Sequence, residues 1–261
     1  MIKKYLSTDN RLMLCYIDIS KDINEIKKTH EISGGEYRLL TKLMLTAAIM
    51  GKDAKGEDVI TVSLDSNIGR GMVAVYTYKG SCLKGYSQLG DLHENDYYSI
   101  LKKKTWLTVI RDMGLQMPYS AAIELAEDTF EESLEKYFKI SQQQPCLINM
   151  FVSDNKACAA ILQPVLNDDF CLIEEERERY EKIIGKLLAG ETSPVFELRG
   201  EFHIDFKCDC NEEKIENAIS TLSEDDVKEI LAELGKIELI CPYCHKKYVY
   251  REEDIARINR Y

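Results

Sequence analysis

Two cysteine pairs near the end of the chain, Cys208-Asp209-Cys210 and Cys241-Pro242-Tyr243-Cys244, decide how this sequence is read. A Cys-x-x-Cys turn lets two thiolates face one point and lets backbone amides hydrogen-bond the sulfurs. Cys-x-Cys is tighter but still chelates one ion. Four thiolates close a tetrahedral zinc shell at ~2.3 Å per Zn–S bond. Residues 211 to 240 separate the pairs, enough for two short helices and a return. Cys208, Cys210, Cys241 and Cys244 are therefore expected to hold Zn2+.

The flanking pattern agrees with a small zinc-binding domain. Glu212 to Leu222 reads as a helix carrying Ile215, Ile219 and Leu222. Ser223 caps a second helix, Glu224 to Leu234, with Asp226 at the capping-box position and Gly235 at the end. Ile237 to Ile240 and Lys247 to Tyr250 flank the Cys241–Cys244 turn as a knuckle hairpin, and Glu252 to Asn259 reads as a last helix. Cys-Pro-Tyr-Cys also occurs in glutaredoxins, at a helix N-terminus early in the domain. Here 17 residues follow Cys244 and they begin with a strand pattern, which opposes that reading.

The chain has nine cysteines, so five remain: Cys15, Cys82, Cys146, Cys158 and Cys171. They are single, mostly within strand patterns, and are expected to be small buried hydrophobes. No His/Asn arrangement near them supports a cysteine nucleophile. His245 is expected to be an exposed turn residue rather than a ligand, and His30, His93 and His203 lack ligand spacing. Gly69-Arg70-Gly71 is too short to cradle a phosphate. Lys102-Lys103-Lys104 reads as a solvated cluster.

Upstream, residues 1–165 mix short strands with inserted helices, an α+β core domain. Strands are expected at Arg11 to Ile19, Val59 to Ser66, Met72 to Tyr78, Leu83 to Ser87, Trp106 to Arg111, Ala121 to Leu125, Leu147 to Ser153 and Lys156 to Leu162. In Glu36 to Met50, Leu39, Leu40, Leu43 and Ala47 share a helix face, with Gly51 at the C-cap position. Asp128 to Ile140 reads as an amphipathic helix. Residues 166–206 read as a helical linker. A charge run, Glu174 to Arg179, leads into the stripe Tyr180, Ile183, Ile184, Leu187, Leu188, which Gly190 closes. Such a stripe needs something to lie on. Residues 207–261 are the zinc-binding domain.

Composition sets outer limits. With 261 residues and 45% hydrophobic content, the chain can bury a core without covalent help. Thirty-four basic against 45 acidic residues leave a net charge of −11. From residue 201 onward, nine basic face fifteen acidic residues. That balance argues against nucleic acid as a partner. No apolar segment follows Lys3-Lys4 as in a secretory signal. The longest apolar run, near Leu43 to Met50, is too short for the ~20 residues of a membrane span. A cytoplasmic protein with reduced or metal-bound thiols and no membrane partner is expected.

The cysteine set resembles that of the 33-kDa chaperonin family, the redox-regulated heat-shock holdases. The resemblance covers most of the chain. Met44 to Gly51 looks like the family's first core helix, and Lys55-Gly56-Glu57-Asp58 like the segment after it. Leu107 to Asp112 with Pro118-Tyr119-Ser120 looks like its central strand and exit. Tyr137-Phe138 followed by Ser141-Gln142-Gln143-Gln144-Pro145 looks like its aromatic pair and Ser-Glu-Gln-x-Pro stretch, with Gln142 in place of the acidic residue. Ala157 to Ala160 lacks the family's usual glycines.

The resemblance implies a chaperone that is not an enzyme, with a substrate-binding core domain, and inactive while reduced and zinc-bound. Oxidants would pair Cys208 with Cys210 and Cys241 with Cys244, and zinc would leave. The chain would then bind unfolded or misfolded clients and form a homodimer. The competing reading is a constitutive zinc-ribbon module for protein or nucleic acid. Lys246-Lys247 is a small basic patch for the latter.

Overall fold

A computed structural model describes residues 1–65, 71–89, 104–166 and 170–258, apart from the side chains of Phe170, Cys171 and Leu172. The expectations for Ser66, Gly69, Arg70, His93, Lys102, Lys103, Asn259 and the Cys171 side chain lie outside these residues. The chain divides into two compact units, Met1–Phe206 and Lys207–Tyr261.

The first unit is organised around one helix, Gly34–Met50. The sequence suggested a single apolar face. Instead Leu39, Leu40, Leu43, Met44, Leu45, Ala47, Ala48 and Ile49 are all buried. A helix apolar all round belongs between two layers, and here both layers are sheets. On one side lies a five-stranded sheet in the order β10-β1-β2-β9-β8. Its strands are β1 (Ile2–Ser7), β2 (Leu12–Asp18), β8 (Leu147–Val152), β9 (Ala157–Pro164) and β10 (Phe196–Phe202), all antiparallel. On the other lies a six-stranded sheet, β11-β5-β4-β3-β6-β7. It comprises β3 (Val59–Asp65), β4 (Gly71–Thr77), β5 (Cys82–Ser87), β6 (Trp106–Asp112), β7 (Tyr119–Glu124) and β11 (Asp205–Phe206). Only β11 among these pairs parallel, with β5.

Ile60, Val62 and Leu64 alternate inward toward the central helix, as their spacing foretold. Gly51 does cap that helix, but at φ −85°, where any residue would serve. Close packing explains the glycine: a Cβ there would sit 2.1 Å from Tyr76 Cδ1. Thr129 and Glu132 form a reciprocal capping box, starting the helix Phe130–Tyr137 two residues later than the pattern suggested. A π-helical turn, Phe138–Gln142, continues it.

Residues 166–206, expected as a helical linker, contain helices Phe170–Glu175 and Arg177–Ala189. They also contain β10 and β11, because the backbone of 196–202 completes the ladder of β1. The helical stripe lies on the outer face of the five-stranded sheet. Tyr180, Ile184, Leu187 and Leu188 pack with Leu12, Leu14, Leu147, Cys158, Ala160 and Leu162. The sheet is thus covered on both faces, and all but the last residue of β9 is buried. A forked ion pair pins the start of this helix. Arg177 donates to both oxygens of Glu135, at 3.2 and 3.0 Å, and Glu135 also accepts the Ile148 amide at 2.9 Å. Burial raises the Glu135 pKa against the pull of that amide and Arg177.

The second unit is small. Helices Glu212–Ile219 and Glu224–Leu234 precede the hairpin β12 (Ile237–Ile240) and β13 (Lys247–Tyr250), and Glu252–Ile258 follows. Asn211 and Ser223 cap the first two helices, accepting from the Lys214 and Asp226 amides at 2.9 and 3.1 Å.

Ile184 is wholly buried beneath its helix. Ile184→Ala is expected to lower the urea-unfolding free energy by about 2–5 kcal/mol. It should also speed thiol labelling of Cys158, whose Sγ donates to Leu188 O at 3.8 Å.

Candidate metal centre

The knuckle positions the second cysteine pair. The Cys241 amide donates to Lys246 O and the His245 amide to Cys241 O, both at 2.9 Å. His245 takes φ 57° to close the turn and is exposed. The first pair lies between β11 and the Asn211 cap. The four sulfurs converge, all within 4.8 Å of one another. Two close approaches cross between the pairs: Cys208 to Cys241 at 3.6 Å and Cys210 to Cys244 at 3.4 Å. A tetrahedral shell with ~2.3 Å bonds places sulfurs about 3.8 Å apart, so the donor set fits one ion of that size. Four cysteines are positioned to bind a metal ion. His245 is not in the group, and no other group of three such donors comes together among the described residues.

The surroundings favour thiolate at one sulfur. The Tyr248 hydroxyl on β13 donates to Cys210 Sγ at 3.1 Å. Burial opposes ionisation of Cys210. That bond and those from the neighbouring thiols outweigh it and bring the thiol down to about 7. Burial raises Cys208 and Cys244, against amide hydrogen bonds from Cys210 and Lys246 respectively. The bond to Cys210 raises Tyr248 in turn. Nothing in the cysteine spacing pointed to Tyr248. The signal was its inward register in β13, two residues from the equally buried Tyr250.

The cysteines are also part of the unit's core. Cys241 is buried with Ile219, Val227, Ile237, Tyr248, Tyr250 and Ile255, and Cys208, Cys210 and Cys244 pack against them. The single cysteines differ. Cys15, Cys82, Cys146 and Cys158 are buried in the first unit. Burial pushes Cys15 up to about 12 and raises Cys146 and Cys158. Protonated thiols of this kind are inert.

The model of the Hsp33 protein family matches residues 1–251. The chain belongs to the Hsp33 family. Two relatives named 33 kDa chaperonin accord with this. One, from Lactococcus lactis subsp. cremoris, is 26% identical over 98% of both chains. The other, from Clostridium botulinum, is 28% identical over 98% of this chain and 95% of its own. A crystal structure of the 33 kDa chaperonin (heat shock protein 33 homolog) of Thermotoga maritima has the same fold. It is 22% identical, with a TM-score of 0.75, over 98% of this chain and 97% of that one. No described helix of this family member is long and apolar enough to cross a membrane.

Groups that orient metal ligands commonly contribute 10–100-fold to affinity. Tyr248→Phe removes the donor to Cys210 and is expected to weaken zinc binding about tenfold. Competition with a chromophoric chelator would measure this, and circular dichroism would check that the fold is kept.

Proposed function

We infer that this heat-shock chaperone of the Hsp33 family is a holdase switched by oxidation of a zinc centre. The observation carrying the reading is the convergence of four cysteine sulfurs inside a unit with little other core. Cys208, Cys210, Cys241 and Cys244 would hold Zn2+. Thiolates suit a borderline-soft ion, and zinc would keep the sulfurs in their oxidisable form.

A two-electron oxidant such as peroxide takes two electrons from each cysteine pair. Cys208 would join Cys210 and Cys241 would join Cys244, while two peroxides take up four protons from solvent and become four waters. The four thiolates are consumed, so the metal loses its ligands. Structural zinc contributes ~10–16 kcal/mol, against ~5–15 kcal/mol for the net stability of a whole domain. Lys207–Tyr261 therefore unfolds when zinc leaves. The first unit keeps its own core, and residues 1–165 supply the client-binding domain. The helix Arg177–Ala189 is the movable element of the 166–206 segment. Its release would expose Leu12, Leu14, Leu147 and Leu162 to unfolded clients. The oxidised chain would dimerise and act in the cytoplasm, with no catalytic step, nucleic acid or membrane.

The test follows zinc release and suppression of client aggregation together, with and without peroxide at mild heat. Oxidation should release the zinc and switch on suppression. Cys241→Ser should hold zinc weakly and suppress aggregation without oxidant. Zinc retained under peroxide, with aggregation unchanged, would refute the switch. Suppression equal in both redox states would favour a constitutive zinc module.

A further inference from the structure

Tyr250 of β13 carries a hydroxyl that its packing does not explain. The residue is 6% exposed, and the hydroxyl oxygen is buried with no hydrogen-bond partner. Buried hydroxyls are normally satisfied, and each exception calls for a reason. The ring packs with Ile219, Ile237 and Ile255, a place that phenylalanine would fill as well. Packing therefore accounts for the ring and not for its oxygen.

A cavity of about 360 Å³, lined only by residues of this unit, has Tyr250, Glu212, Glu216 and Asp254 on its wall. Burial pushes the Tyr250 pKa up, and the charges of Glu216, Glu212 and Asp254 push it the same way, so all three carboxylates act on this one oxygen. Glu212 and Glu216 lie one turn apart on the helix Glu212–Ile219, where like charges repel. The helix N-terminus favours Glu212 in the first turn but does not account for Glu216. Neither glutamate forms an ion pair with a described residue.

The basic side chains on the wall have other partners. Lys247 meets Glu238 at 2.6 Å, Arg257 meets Asp254, and Lys246 Nζ lies 4.7 Å from the centre of the Tyr248 ring. Two carboxylates and one hydroxyl oxygen remain on the wall with no donor to accept from.

The separation of these oxygens decides the class of ligand. Glu212, Glu216 and Asp254 do not converge within 4.8 Å as the four cysteines do. A bare metal ion would have to gather them. A guanidinium carries five N–H donors in a rigid planar fork and spans acceptors set further apart. The cavity is at the small end of the range for small-molecule clefts.

We propose that the cavity beside Tyr250 binds a small guanidinium compound. Its N–H groups donate to the Glu212 and Glu216 carboxylates and to the Tyr250 hydroxyl oxygen. The bound cation relieves the repulsion between the two glutamates. It also ties the helix Glu212–Ile219, which begins two residues after Cys210, to β13. The site needs no oxidation and stands apart from the redox reading.

The test is isothermal titration calorimetry of agmatine, at low ionic strength, into the reduced, zinc-loaded full chain. Two or three charge-assisted hydrogen bonds correspond to a Kd of about 1 mM. Tyr250→Phe removes only the hydroxyl, and Glu216→Gln removes only a charge. Each is expected to weaken agmatine binding about tenfold. Without agmatine, Tyr250→Phe should melt no lower than the parent, because the lost hydroxyl had no partner. With agmatine the parent should melt higher, and Tyr250→Phe should gain less. Should one variant fail to fold by circular dichroism, the other decides. No saturable heat with the parent, unchanged affinity in a folded variant, or a lower melting temperature of ligand-free Tyr250→Phe overturns the site. Putrescine or Mg2+ binding as tightly as agmatine overturns the guanidinium assignment. Zinc release and client aggregation under peroxide are measured separately. Their failure refutes the redox switch and leaves the agmatine result standing.

Discussion

Four sulfurs held within 4.8 Å of one another are the constraint on which Lys207–Tyr261 depends. Among the described residues, the others buried in it are Ile219, Val227, Ile237, Tyr248, Tyr250 and Ile255. A unit this small rarely supplies more than ~3–5 kcal/mol from its core and needs a staple. The proposed zinc, held by the four cysteines that pack with this cluster, would be that staple. Local structure cannot replace it. The Asn211 and Ser223 caps and the β12–β13 ladder stabilise individual turns, each by about 1 kcal/mol.

The first unit is built on another principle. Its central helix is buried between two sheets, and one of those sheets is covered again by Arg177–Ala189. Neither cluster of that core includes a residue of Lys207–Tyr261. On the proposed switch, one chain combines a unit whose folding depends on zinc with one whose folding does not. The Arg177–Ala189 helix stands between them in behaviour. Its apolar stripe docks well, but one forked ion pair to Glu135 fixes its start. Such a docked helix can open locally at less cost than global unfolding.

Much of this was legible in local pattern. The knuckle hairpin has the bounds expected on either side of its turn, and the four cysteines meet as their two spacings implied. The central helix was also visible, though its burial on every side was not, because the second layer comes from strands far along the chain. The strands β1 and β10 escaped for the same reason. Lys3-Lys4 interrupts one and three charges interrupt the other, so neither reads as a strand until they pair. The apolar stripe of Arg177–Ala189 was plain, and its seat on β2, β8 and β9 was not. Gly51 shows the limit from another side. Its position at a helix end was right, but its cause was the Tyr76 ring, which no helix rule contains.

Hydrogen exchange read by mass spectrometry, before and after peroxide, tests the central claim most directly. The account predicts that Glu224–Leu234, β12 and β13 lose amide protection as zinc is released, while the central helix Gly34–Met50 keeps it. Full protection of the knuckle hairpin in the oxidised, zinc-free chain would contradict it.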